Sequence, residues 1–413
     1  MSADRPDDCG RDRSVTPPRS ARLVLLFGIL SGCLSVVAVP LVAPEQFMLA
    51  SDVYYYAADA LLSGGDIYNV APPDRSGYHY IYPPVIIFVF VPHVFLGGPG
   101  AAFAVQTVLN TGFAVGIAVF LWRALSRRNV ALTWIDWLLL TGFGLFSSYS
   151  AITVVNGQVT LWLGFAVAAG LDALDRDRDA VAGIAFAGAA LVKVFPAVLG
   201  LWLLRRRSYR AVVAAVVFGF AGILVGIFAL GPDVTETYFT EVLTGRYDGF
   251  DGAPEPAATR GGAQRQVAAI FGIGPPYVTP LAAVVLGPIL GYLYLDVGTD
   301  NKKNATVLGT VLVALLFFPL QRLYMVLFIV PLVVLLYRLP SGRPRQLLVV
   351  GTLVSTVRVS FPVVETAVRG LGVAGPLESA LLAVGHRFYE VILFPTLGMW
   401  LLLLGCVFVH VDL

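Results

Sequence analysis

The chain has 413 residues, of which 57% are hydrophobic and 13% charged, with a formal net charge of +2. That apolar fraction exceeds what a soluble domain of this size can bury, and so small a net charge leaves no electrostatic footprint for nucleic acid. Both classes are excluded, and what remains is a polytopic, all-α membrane protein.

In chain order, residues 1–21 read as a disordered cytosolic tail. The apolar run after it lacks a small-residue cleavage site, so it is predicted to stay as a helix instead of being removed as a signal. Residues 22–413 form one transmembrane domain, because no polar stretch is long enough for a soluble one. Charge-poor runs near the roughly 20 residues that cross a bilayer place spans at 22–43, 100–122, 134–151, 159–173, 180–204, 211–230, 276–295, 305–337, 346–362 and 388–411. As one helix, 305–337 would extend about 50 Å. It is therefore predicted to be two helices, turning near Pro319.

Topology follows from the basic loops. With a cytosolic N-terminus and residues 82–97 as a juxtamembrane or re-entrant element, the loops RALSRR (123–128) and RRRSYR (205–210) share the cytosolic side only if 180–204 folds back on itself. That gives about 12 crossings and places most Lys and Arg inside. Asp52, Asn156, Gln158, Lys193 and Arg322 all fall on the extracytoplasmic side.

The most informative segment follows the first span: ASDVYYYAADALLSGGDIYNVAPPDRSGYHYIYPP, residues 50–84, with four aspartates among tyrosines. Asp52 and Asp59 lie two helical turns apart on one face, and Gly64–Gly65 reads as the stop, giving a juxtamembrane helix in the first outer loop. Solvation is the ordinary fate of Asp59, Asp66 and Asp74. Asp52, at the helix start, is the candidate base for a substrate hydroxyl. The amides of Asn156 and Gln158, in NGQ, either hydrogen-bond sugar hydroxyls or cap the next helix. Lys193, in ALVKVFP, is an ammonium in an apolar run. It either snorkels to the interface or is kept for a partner such as a phosphate, and Arg322, in FFPLQRLYM, carries the same argument with a planar fork. Tyr55, Tyr82 and Gln321 are the further candidates for substrate contact. Residues 231–266 read as a polar lid or a plain connector.

Cys9, Cys33 and Cys406 are scattered, which suggests no disulfide framework, and His79, His93, His386 and His410 lack metal-ligand spacing. Neither a Gly-rich phosphate loop nor a nucleotide fingerprint is present, so a nucleotide-sugar donor has no visible binding element.

Four segments in order, SDVYYYAADALLSGGDIY, YIYPPVIIFVFVP, NGQVTLWLGFAVAAG and AGIAFAGAALVKVFPAVLGLWLL, resemble the membrane glycosyltransferases of family 87, which include polyprenol-phosphate-mannose-dependent alpha-1,2-mannosyltransferases. The resemblance covers roughly residues 45–210. It implies a GT-C type fold and an inverting transfer of a hexose, mannose in this group, from a polyprenyl or dolichyl phosphate to a glycolipid or glycan acceptor. The family's catalytic aspartate falls on Asp52 and its lysine before Phe-Pro on Lys193, which would bind the donor phosphate together with Arg322. Neither a metal nor another cofactor is implied. The chain departs from the pattern at FFPLQRLYM, where family members often carry a histidine. The competing reading from another class is a secondary transporter with Lys193 and Arg322 as intramembrane sites. It predicts an internal repeat, and none is visible. A membrane scaffold without catalysis is the third.

Overall fold

The computed structural model describes residues 15–247, 261–274, 276–318, 322–372 and 375–412. Gln321, Pro319, most of the tail, and Asp248, Asp251 and Arg260 of the long loop lie outside these residues, as do the side chains of Tyr247 and Arg322.

From Val15, whose backbone pairs with Asn129 and Ala131, the chain runs into the first helix. The first helix, α1 (Arg19–Val42), is followed by α2 (Leu49–Leu62), which starts after Met48 in the left-handed region and stops before Gly64, φ +73°. A 3-10 turn at Pro84–Val89 and the short α3 (Val91–Val94) follow, within residues 82–97. Helices α4 (Pro99–Ser126), α5 (Trp134–Phe146), α6 (Ala151–Asn156), α7 (Thr160–Leu174), α8 (Asp179–Val192), α9 (Leu199–Arg205) and α10 (Tyr209–Leu230) come next.

The loop predicted at 231–266 is helical at its start: α11 (Pro232–Thr237), a π-helical turn at Tyr238–Val242 and α12 (Leu243–Tyr247). After it come α13 (Ala263–Phe271), α14 (Val278–Leu295) and α15 (Asp300–Phe317), then a 3-10 segment at Arg322–Phe328 leading into α16 (Ile329–Arg338). Residues 305–337 are thus two elements, as their length required. The last four are α17 (Arg343–Thr356), α18 (Phe361–Gly370), α19 (Gly375–Val391) and α20 (Phe394–Asp412). The predicted span 388–411 is corrected here. Its first residues end α19, and the chain restarts at Phe394–Pro395, a proline favoured at a helix start and disfavoured within one.

The protein is all-helical and built for a membrane. Among the described residues five helices are long and apolar enough to cross one, α1, α4, α10, α14 and α20, and a sixth is formed if α17 and α18, bent by 76°, act as one span. Shorter apolar helices, among them α5, α7 and α8, account for the rest of the apolar runs. The expected figure of about 12 treats those short pieces as crossings. Close backbone approach ties the bundle together: a Cβ at Gly398 of α20 would lie 2.4 Å from the Ser355 nitrogen of α17. Small residues permit such contact between membrane helices, where packing has to supply the attraction.

The two ends of the bundle differ in kind. At one end Arg127 pairs with Asp172 (2.8 Å), Arg128 with Asp175 (2.9 Å) and Asp300 (2.8 Å), and Arg338 also meets Asp300. Arg206, just after α9, donates to the Leu174 carbonyl at 2.7 Å and lies 3.8 Å from Asp177. The segment 179–205 therefore leaves this end as α8 and returns to it as α9, the fold-back that the basic loops demanded. Its apex, Lys193 to Val198, lies at the opposite end, together with the start of α2, the NGQ loop and the start of the 322–328 segment.

Candidate active site

The apex of the α8–α9 hairpin is fixed by sequence. Pro196 cannot continue α8, so the helix ends at Val192 and Lys193 turns extended, φ −144° and ψ 128°. The side chain does not snorkel: Lys193 is only 6% exposed. Its ammonium stands 4.0 Å from the ring centroid of Tyr82 and 5.9 Å from that of Tyr324. A ring face attracts a cation most strongly where water is excluded, so these two rings hold the charge in place.

Tyr82 is itself locked. Its hydroxyl shares a 2.7 Å hydrogen bond with that of Tyr54 on α2, and its carbonyl accepts from the Tyr68 hydroxyl at 3.0 Å. Tyr54 stacks on Phe90 at 4.2 Å. A chain of aromatic contacts thus connects the buried face of α2 to the lysine. Tyr324, in turn, packs edge-on against Phe195 at 4.9 Å and lies two residues after Arg322, which brings the backbone of the latter to the same region.

Asp52 sits in the first turn of α2. Its Oδ2 accepts from Arg75 Nη1 at 2.7 Å, and the second nitrogen of the same guanidinium donates to the Phe47 carbonyl at 2.8 Å. Its Oδ1 is buried and has no hydrogen-bond partner among the described residues. Burial raises the carboxyl above the ordinary carboxylate range, and Arg75 draws it part of the way back. A carboxylate so placed can accept a proton from a hydroxyl that reaches Oδ1.

The NGQ loop braces this helix start. Gly157 adopts φ +69°, and a Cβ there would lie 2.7 Å from Ser51 Cβ, beside Asp52. The Met48 amide donates to Val155 at 3.0 Å, and in the orientation its neighbours favour, the Asn156 amide donates to the Gln46 carbonyl at 2.8 Å. Asn156 thus ties its loop to the chain ahead of α2 and does not cap the next helix, where Val159 holds the cap position. The side-chain oxygen of Gln158 is buried and has no partner among the described residues, while its carbonyl accepts from Asn110 at 3.0 Å.

Tyr55 is not drawn into this group. It lies on the outer face of α2 against Tyr56, 5.4 Å away, and the inward tyrosine is its neighbour Tyr54. Sequence reasoning missed Tyr54, Arg75 and Tyr324. Three tyrosines in a row gave no means of choosing until the buried face of α2 was fixed. Asp66 is a local cap, accepting from the Tyr68 amide at 2.8 Å and the Asn69 side chain at 2.7 Å.

Beside the lysine runs an apolar groove of about 400 Å³ between α8 and α10, whose walls include Pro83, Leu191, Val194, Pro196, Gly219 and Gly222. α10 carries exposed Val213, Val217 and Phe220 outside it, so the groove opens on the face that would meet lipid.

The profile of glycosyltransferase family 87 matches residues 80–319, more than half of the chain. The chain belongs to glycosyltransferase family 87. The matched stretch holds Tyr82, Asn156, Gln158 and Lys193, and begins after Asp52. A relative from Mycolicibacterium smegmatis, described as a polyprenol-phosphate-mannose-dependent alpha-(1-2)-phosphatidylinositol pentamannoside mannosyltransferase, is 27% identical over 306 residues, 72% of each chain. Among solved structures, ArnT from Cupriavidus metallidurans bound to undecaprenyl phosphate covers 94% of this chain and 77% of its own, at 16% identity and a TM-score of 0.41. As a family 87 member the chain is a membrane glycosyltransferase.

Proposed function

We propose that this glycosyltransferase moves a mannosyl residue from a polyprenyl phosphate to a hydroxyl of a glycolipid or glycan acceptor, with inversion, in a GT-C type arrangement of about 12 membrane segments. The observation that carries the reading is an apolar groove walled by Leu191, Val194 and Pro196, the chain neighbours of the buried Lys193. An isoprenoid chain is all hydrocarbon and fits walls of Leu, Val, Pro and Gly, and its one polar terminus is an anion that suits the ammonium of Lys193. The mannose-carrying lipid named for the mycobacterial relative has both parts.

The chemistry balances with the groups at hand. The acceptor oxygen forms a bond to C1 from the face opposite the phosphate, the C1–O bond to phosphate breaks, and its electron pair leaves on the phosphate. Asp52 takes the hydroxyl proton. Lys193 offsets the charge that develops on the leaving group, which is the kind of preorganised electrostatic help that matters most in group transfer. Arg322, carried by the segment that also holds Tyr324, is assigned to the same phosphate, and Gln158 to sugar hydroxyls. The paired-arginine end faces the cytosol by the positive-inside bias, so the reaction faces outward.

The test is transfer by purified protein from radiolabelled polyprenyl-phosphate-mannose to candidate glycolipids, wild type against Asp52→Asn. Mannosylated lipid is expected only with wild type. Transfer that survives the substitution removes Asp52 as the base, and no transfer from any lipid-linked sugar removes the donor class.

A further inference from the structure

We propose that Arg75 is a positioning residue for this transfer: its guanidinium fixes the Asp52 carboxylate so that Oδ1 is the oxygen left to take the acceptor's proton. The proposal rests on the reading of Asp52 as the base, and it adds which atom acts and what holds it.

Arg75 lies 23 residues beyond Asp52, in a turn closed by its own amide to the Pro72 carbonyl (2.9 Å) and by the Tyr78 amide to its carbonyl (3.0 Å). One arm of its fork binds Oδ2 of Asp52 at 2.7 Å. The other binds the Phe47 carbonyl, at the residue before the left-handed Met48 from which α2 starts, at 2.8 Å. The guanidinium plane is therefore pinned at two points, to the first turn of α2 and to the chain that leads into it. A lysine, with a single ammonium on a flexible stem, has no equivalent geometry.

With Oδ2 engaged, the carboxylate has one oxygen left. Oδ1 is withdrawn from solvent and has no partner among the described residues, although the side chain as a whole is 15% exposed. A buried carboxylate oxygen without a donor is unfavourable in the resting protein, and it is satisfied when an acceptor hydroxyl reaches it. Because Arg75 holds Oδ2, the hydroxyl is left with Oδ1 as the oxygen to meet. The proton passes to Oδ1 as the hydroxyl oxygen bonds to C1.

Arg75 has a second effect on the same atom. Its positive charge favours the ionised form of Asp52 against burial, which opposes it. The other titratable groups on α2 and the segments next to it include Tyr54, Tyr55, Tyr56 and Asp59 of the helix itself, Asp74 beside Arg75, Glu45 ahead of the helix and His93 on α3. Of these, Asp59, Asp74 and Glu45 are further acids. Arg75 is the cation in contact with the carboxylate.

The test is kcat/KM against pH for wild type, Arg75→Gln, Arg75→Lys and Asp52→Asn, with polyprenyl-phosphate-mannose and a glycolipid acceptor that wild type mannosylates. Activity requires ionised Asp52, so loss of the neighbouring cation moves the acid limb to higher pH, by about one unit for an opposite charge at contact distance. Arg75→Gln is expected to show this shift and to recover only part of the wild-type rate on the alkaline plateau. Arg75→Lys is expected to return the limb towards wild type while the plateau stays low, because charge is restored and the fork is not. It also carries the test if the glutamine variant fails to fold. An acid limb in Arg75→Gln that superimposes on wild type overturns the proposal, and so does a wild-type plateau in Arg75→Lys, the result that decides if the glutamine variant fails to fold. Activity in Asp52→Asn overturns the base assignment itself, an outcome distinct from the behaviour of the Arg75 variants.

Discussion

The ammonium of Lys193 stands 4.0 Å over the ring of Tyr82, and the hydroxyl of that ring is bonded to Tyr54 on the helix that carries Asp52. The cation and the carboxylate therefore belong to one scaffold, although 140 residues separate them in sequence.

Lys193→Met is expected to keep the fold, since an apolar side chain of similar length replaces a charge that is costly to bury. Turnover should fall by about 10²- to 10³-fold, the range seen when one preorganised electrostatic donor is removed. Tyr82→Leu removes the ring and is expected to cost about 1–2 kcal/mol of cation holding, roughly tenfold in rate. Tyr82→Phe keeps the face and loses only the Tyr54 bond, so it should fall between the leucine variant and wild type. Initial rates at saturating donor give the order.

Gly157→Ala tests the brace under α2. The backbone at φ +69° disfavours a side chain, and the new Cβ would lie 2.7 Å from Ser51 Cβ. The strain is expected to cost about 1–2 kcal/mol. It should also displace the first turn of α2 and slow transfer more than it lowers Tm. Thermal unfolding in detergent set beside turnover separates the two effects, and unchanged turnover in a destabilised protein would break the link between the loop and Asp52.

Asp136 provides a control at the far end. It is fully buried, closes a capping box with Thr133, binds both arms of Arg22 at 2.8 and 2.7 Å and accepts from Tyr337 at 3.3 Å. Asp136→Ala leaves Arg22 without its partner and should cost about 3 kcal/mol, at the low end for a broken buried pair because Arg22 is partly exposed. A lowered Tm with turnover per folded molecule unchanged is the expected result.

Asp52 and Lys193 were legible in the sequence for one reason: each breaks a local pattern, a charge where the neighbours are apolar or at the start of a helix. The fold-back of 179–205 was legible because two basic loops had to share a side and Pro196 supplied the break. Arg75 was not, since an arginine in a polar loop violates nothing and its value lies in a contact 23 residues away. The α19–α20 break was hidden inside one continuous apolar run. The likeness to family 87 supplied what composition could not, the kind of reaction, because hydropathy alone fits a transporter as well.

Donor chain length gives the last prediction. Gly200 and Gly219 both line the groove beside Lys193, and a Cβ at either meets nothing within 4 Å, so a larger side chain can enter the open space without disturbing packing. Gly219→Leu therefore fills part of a cavity of about 400 Å³ while leaving Lys193, Tyr82 and Asp52 untouched. If the isoprenoid lies there, KM for a long-chain polyprenyl-phosphate-mannose should rise by about tenfold, the cost of excluding one or two buried methylene-sized units. A donor truncated to one or two isoprene units, which reaches less of the groove, should be used by variant and wild type alike. kcat should change little in either case, because the reacting atoms are not moved. Equal KM values for both donors in Gly219→Leu would place the lipid elsewhere and leave the groove without its role.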